Sequence, residues 1–272
     1  MGWRDMAPFE EKTIVKDECT LHYWTGGKPG GPWVVFLHGA GVDHRMYGEQ
    51  IPVLTGRYHL LLIDIRGHGL SRPMAHFDIE TVAGDICRIM DNEGIGDTAI
   101  AGQSMGGNIA QEMAYAYPDR VRCLVVIDSL CNARKRPWLY RFAMRRLAPL
   151  VLPLYPWRPA VRWSSRASAV LPAVRDYLTE TALVIGKKDY NEILLRAFDH
   201  MQHLRDRHTN KPVLLVCGDR DIGIIKRDSI AWGADDPLCE FHMIPHAGHC
   251  ANQDNPAAFN PLLTDFLIRH LG

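Results

Sequence analysis

The sequence has no excess of either charge: Lys plus Arg and Asp plus Glu each total 31. That balance argues neither for nor against any partner; no nucleic-acid partner is expected. No apolar run is long enough to cross a bilayer. The opening stretch, MGWRDMAPFEEKTIVKDE, lacks an apolar signal core, and Met6 stands where a myristoylation motif would have Ser or Thr. Seven cysteines occur, but with no Cys-x-x-Cys pair. Their wide spacing predicts free thiols and a reducing, cytoplasmic setting rather than a disulfide framework. There is no His-Glu-x-x-His, no clustered Cys/His set, no Walker lysine after GQSMGG and no dinucleotide fingerprint. The expectation is a chain that uses no metal and no cofactor.

What is present is a rhythm. WVVFLHG (33–39) and YHLLLIDIRGHG (58–69) are continuous apolar runs ending in glycine, as strands buried on both faces read. DTAIAG, VRCLVVIDS, KPVLLVCGD and CEFHMIP repeat the form. TIVKDECTLHYW (13–24) reads as two short strands with a turn near Lys16 and Asp17. Helical segments lie between them: 46–55, 78–94 with Ile79, Val82, Ile86, Ile89 and Met90 at helical spacing, 105–118 stopped by Pro118, and 256–271. The alternation predicts an α/β fold, with a mostly parallel eight-stranded sheet flanked by helices. Residues 131–206 break the rhythm with no strand-like run. They are expected to form a helical cap inserted in a core made of 1–130 and 207–272.

In open parallel sheets, chemistry gathers where strands end. Five strand ends here are polar: HGAG (38–41), DIRGHG (64–69), GQSMG (102–106), GDRD (218–221) and PHAGH (245–249). Gly102-Gln103-Ser104-Met105-Gly106 has the form of a nucleophile elbow, in which a strained strand-to-helix turn lifts a Ser hydroxyl above the sheet. A Ser hydroxyl is a weak nucleophile and needs a base, which in turn needs an orienting acid. Asp221 and His249 follow the last two strands and could supply them, in the chain order Ser, Asp, His.

With FLHGAG, DIRGHGLSRP, AGQSMGG, CGDRD and PHAGHCANQDNP in this order, the chain resembles the α/β-hydrolase superfamily over about residues 20–130 and 210–272. The resemblance implies Ser104 as nucleophile, Asp221 as acid and His249 as base. It implies the backbone N–H groups of Ala40 and Met105 as the oxyanion hole. Asp219 competes with Asp221, as does Asp128 at the end of LVVID, where some relatives keep their acid. His246 competes with His249. The family pattern favours Asp221 and the His of Gly-His. His38, His68, Asp64 and Arg66 read as loop-fixing residues. Asp43 and His44 read as pocket-lining or as a solvated loop.

The implied activity is cofactor-free hydrolysis of carboxylic esters or lactones on a small, largely apolar acyl substrate. Carbon–carbon bond hydrolysis, amide hydrolysis and slow-turnover ligand binding are the alternatives. Residues 131–175 hold ten Lys or Arg and no Asp or Glu. There the apolar side chains, with Trp138, Phe142 and Leu147 foremost, are expected to face the core or roof the pocket. Arg141, Arg145 and Arg146 would face solvent or, in the alternative, attract an anionic substrate or an acidic surface.

Overall fold

The computed structural model describes residues 9–74, 76–134, 137–200 and 208–272. Eight strands form one sheet: β1 (Glu10–Lys16), β2 (Cys19–Gly27), β3 (Trp33–Leu37), β4 (His59–Ile63), β5 (Thr98–Gln103), β6 (Val121–Ile127), β7 (Val213–Gly218) and β8 (Cys239–Ile244). Their order is β1-β2-β4-β3-β5-β6-β7-β8. β1 and β2 pair antiparallel through a tight turn at Asp17 and Glu18, both at positive φ, as the twist of a two-residue hairpin demands. β2 joins β4 antiparallel, and every pairing from β4 across to β8 is parallel. β5 and β7 are buried at every position. This explains why they read as continuous apolar runs: helices cover both faces.

The helices are α1 (Ile51–Leu54), α2 (Ile79–Asn92), α3 (Met105–Ala116), α4 (Trp138–Phe142), α5 (Ala148–Val151), α6 (Trp157–Ser168), α7 (Pro172–Ile185), α8 (Lys187–His200), α9 (Gly223–Asp235), α10 (Ala251–Asp254) and α11 (Pro256–Leu271). A π-helical turn, Ala143–Leu147, joins α4 to α5. α2 begins at Asp78, whose carboxylate accepts the N–H of Thr81 and so satisfies one of the first turn's free donors. Its Ile79, Val82, Ile86, Ile89 and Met90 pack with Ile109 and Met113 of α3 on one face of the sheet. Phe259, Leu263 and Phe266 of α11 cover the other.

Three segments differ from expectation. Residues 46–55 form a 3-10 turn (His44–Tyr47) and the four-residue α1 rather than one helix. α9 was not legible, because its inward face includes Asp228 and Ser229 beside Ile225 and Trp232. Buried polar residues there hide the apolar period; Asp228 accepts the N–H of Cys131. Asp43 and His44 are neither pocket-lining nor solvated. His44 is buried, stacks on Trp24 with ring centres 3.6 Å apart, and lies 2.7 Å from Asp64.

Candidate active site

Gly102, Gly106 and Gly107 surround Ser104 for a steric reason. A Cβ on Gly102 would collide with the Gly106 carbonyl, and one on Gly106 with the Leu37 carbonyl. One on Gly107 would sit 2.6 Å from Ser129 Cβ. The backbone thus folds back on itself tightly enough to hold Ser104 at φ 51°, ψ −114°, outside the ordinary basins. The Ser104 carbonyl is pinned from below by the N–H of Gly107 at 2.9 Å and the Ser129 hydroxyl at 2.7 Å. Gly106→Ala should therefore cost at least about 1–3 kcal/mol, since backbone cannot step aside as a side chain can. A calorimetric melt beside Gly56→Ala, where a Cβ meets nothing within 4 Å, checks this. Equal melting of the two variants would refute the packing argument.

The three side chains read from strand ends, Ser104 after β5, Asp221 after β7 and His249 after β8, meet. Ser104 Oγ lies 2.9 Å from His249 Nε2, and His249 Nδ1 lies 2.9 Å from Asp221 Oδ1. Asp221 is buried and also accepts the N–H of Ile222 at 2.5 Å. Burial opposes a charge on His249, but the charge and hydrogen bond of Asp221, and then the charge of Asp128, outweigh it. Its pKa stands above the ordinary histidine value. The arrangement can draw a proton from the Ser hydroxyl onto an imidazole whose cation is then stabilised.

The competing residues have other partners. Asp219 accepts the N–H of Ala247 at 3.1 Å and so braces the loop that carries His249. His246 stands 3.1 Å from the Arg220 guanidinium, which donates to its Nδ1. Asp128 is buried at φ 49° and accepts from Gly218 N–H at 2.8 Å and Ala251 N–H at 2.7 Å. It clamps the ends of two loops, the one bearing Asp221 and the one bearing His249. Burial, then the charge of Asp221, hold its carboxyl well above the usual carboxylate range. His38, Asp64 and Arg66 are loop-fixing, as expected. His38 Nε2 accepts from Ile65 N–H, Asp64 accepts from His44 and Leu70, and Arg66 pairs with buried Asp85. Burial drives the pKa of His68 down to about 3.

Ala40, Gly41 and Met105 face the cavity beside Ser104. Met105 opens α3, and the N–H groups of a helix's first turn have no intrahelical acceptor. The Gly107 and Asn108 N–H groups turn to the Ser104 carbonyl, so the one offered to an oxygen at the site is that of Met105, which faces the cavity. The cavity has a volume of about 420 Å³. The strand-end loops form its floor. Its walls are Val161, Ser165, Leu178, Leu194 and Phe198 from α6, α7 and α8, with Ile225 from α9.

The expected wall residues require correction. Trp138, Phe142 and Leu147 do not line the cavity; they lie exposed on the outer side of the segment. From α4 the cavity receives Tyr140 instead. The helix turns one residue inward and leaves its larger apolar neighbours outside.

Two positioning residues were missed. Gln103, inside the elbow motif, donates through Nε2 to the His249 carbonyl at 2.5 Å. Asp254 accepts N–H groups from Gly248, Val170 and Leu171, tying the His249 loop to the start of α7. Asp254 lies within PHAGHCANQDNP, but nothing in its local spacing distinguishes it from a surface aspartate.

A sequence model of the alpha/beta hydrolase family matches residues 34–262. A 2-succinyl-6-hydroxy-2,4-cyclohexadiene-1-carboxylate synthase of Yersinia pseudotuberculosis is 30% identical over 261 residues, covering 87% of this chain and 88% of that one. The 3-oxoadipate enol-lactonase 2 of Acinetobacter baylyi is 24% identical, covering 91% and 93% respectively. A thermophilic esterase from Thermogutta terrifontis superposes with a TM-score of 0.79 at 22% identity, over 98% of this chain and 100% of that one. At that identity the likeness is one of fold.

Proposed function

The chain belongs to the alpha/beta hydrolase family, and on that premise we propose that it is a serine hydrolase of neutral carboxylic esters or lactones. The observation carrying this reading is the pair of 2.9 Å contacts that join Ser104, His249 and Asp221 at the floor of an apolar cavity. In this reading Ser104 Oγ attacks the carbonyl carbon while His249 Nε2 takes its proton. The carbonyl oxygen becomes an oxyanion facing the N–H groups of Ala40 and Met105. His249 then protonates the leaving oxygen, and an acyl group remains on Ser104. Water, deprotonated by His249, attacks that acyl carbon and releases the acid. Asp221 holds the imidazole tautomer that leaves Nε2 free to accept.

Substrate class follows from the walls. Among the described residues no Lys or Arg lines the cavity. A carboxylate, the group in the name of the Yersinia relative, would enter with no cation to receive it. Burying an unpaired charge is costly, so the acyl group proposed here is uncharged. Leu178 and Leu194 wall the acyl space. Leu178→Ala should shift the chain-length optimum, with a change of about 10- to 200-fold in kcat/KM between neighbouring homologues. A series of p-nitrophenyl esters of graded length measures it; an unchanged profile would place the acyl chain elsewhere.

The test of the proposal has two readouts. A fluorophosphonate should label Ser104, and neutral esters or lactones should show steady-state turnover. Labelling without turnover on any ester or lactone of the series would favour a binding protein and defeat the hydrolase reading. The pH profile is a further check. The base must be neutral, so kcat/KM should rise with pH through the His249 pKa. Because that pKa is raised, the midpoint should lie above about 6.5. Removing Asp221's charge should move it down.

A further inference from the structure

The surface outside the cavity has an unusual composition. Trp138, Leu150, Val151, Leu154 and Trp163 stand 58–81% exposed within one stretch of chain. So many large apolar side chains left exposed in consecutive elements call for something to cover them. Arginines are interspersed. Arg141, Arg146, Arg158, Arg162 and Arg166 make no ion pair among the described residues, whereas Arg145 pairs with Asp199. On α6 the division is clean. Val161, Ser165 and Ser168 face the cavity, while Arg158, Arg162 and Arg166 recur every fourth residue on the exposed side beside Trp163. The helical run through α4 and α5 repeats it, with Tyr140 inward and Trp138, Arg146 and Leu150 outward.

Two physical facts select the occupant. A symmetric pairing of two copies through this face would set unpaired arginines against arginines, with no acid between residues 131 and 175 to relieve them. Interleaved Trp, Leu and Arg, exposed on helices of which α4 and α6 turn their other side to one cavity, suit instead the boundary of a bilayer. There the rings and leucines enter the acyl margin, and the guanidinium groups meet phosphates. We propose that the outer face of residues 138–166 docks on a lipid bilayer bearing anionic headgroups. Docking by this face is independent of the hydrolase reading, since it needs no turnover.

Vesicle co-sedimentation of the full chain tests it. One vesicle is phosphatidylcholine alone; the other is phosphatidylcholine mixed with an equal part of phosphatidylglycerol. The protein should sediment with the mixed vesicles at low salt, and much less with phosphatidylcholine. A juxtamembrane Arg contributes roughly fivefold in binding, so the triple variant Arg146→Gln, Arg158→Gln, Arg162→Gln should bind about a hundredfold more weakly. A second variant, Leu150→Ser, Leu154→Ser, Trp163→Ser, removes the apolar part on exposed positions. It should lose the binding that survives high salt. Absence of wild-type sedimentation with mixed vesicles would overturn the proposal, as would unchanged binding by the arginine variant. Self-association on a sizing column, abolished by the second variant and unaccompanied by vesicle binding, would reassign the face to a dimer.

Discussion

Ser104→Ala is expected to abolish ester turnover, with a fall of up to about a millionfold in kcat, and to leave the melting temperature unchanged. The two halves of the expectation have separate reasons. Among the described residues Ser104 Oγ makes one hydrogen bond, with His249 Nε2, so its loss removes the hydroxyl without opening a buried network. The strained backbone at φ 51° is held by the glycine contacts and by the Ser104 carbonyl, neither of which Ala disturbs. Fluorophosphonate labelling should vanish as well. Turnover near the wild-type level in this variant would end the serine mechanism, and a large loss of stability would mean that the hydroxyl also has a structural role.

Asp221→Asn should lower kcat by roughly ten-thousandfold, because an amide no longer fixes the imidazole tautomer or offsets its charge. The same substitution at Asp128 should act differently. Asp128 accepts from Gly218 and Ala251 through its two oxygens, so an amide would turn an N–H donor toward a backbone N–H donor. That leaves a buried donor unsatisfied, worth about 1–3 kcal/mol. Asp128→Asn should therefore melt earlier and lose less activity than Asp221→Asn. Steady-state kinetics and thermal melts on both variants decide it. If Asp128→Asn proved the more crippling in kcat at unchanged stability, the acid of the site would be Asp128.

The eight strands and their parallel character were legible because their signal is local. A strand covered on both faces must be apolar at every position, as β5 and β7 are, and helical periods between such runs leave little topological choice. The elbow was legible for a related reason. Gly102 answers a clash with the carbonyl of Gly106 within the same turn, so part of the steric need is written directly into the residue types around Ser104. Helix α9 was not legible. Its inward Asp228 satisfies a partner that only the folded chain supplies, the N–H of Cys131.

The sequence by itself determined the fold class, and it singled out the turn at Ser104 and the Asp221 and His249 that follow the last two strands. Each is set by residue type at a fixed distance from a strand end. Tertiary structure alone decided which side of the 138–168 segment faces the cavity. Along α4 the apolar residues are consecutive, so Tyr140 inward and Trp138 outward cannot be told apart by composition. Only docking of the segment on the core selects the face, through contacts such as those of Asp254 with Val170 and Leu171. Assembly of the sheet likewise gave Asp128 its two backbone partners, 90 and 123 residues away along the chain. No local pattern encodes a contact of that span, because the groups that satisfy it are brought together only when the sheet closes.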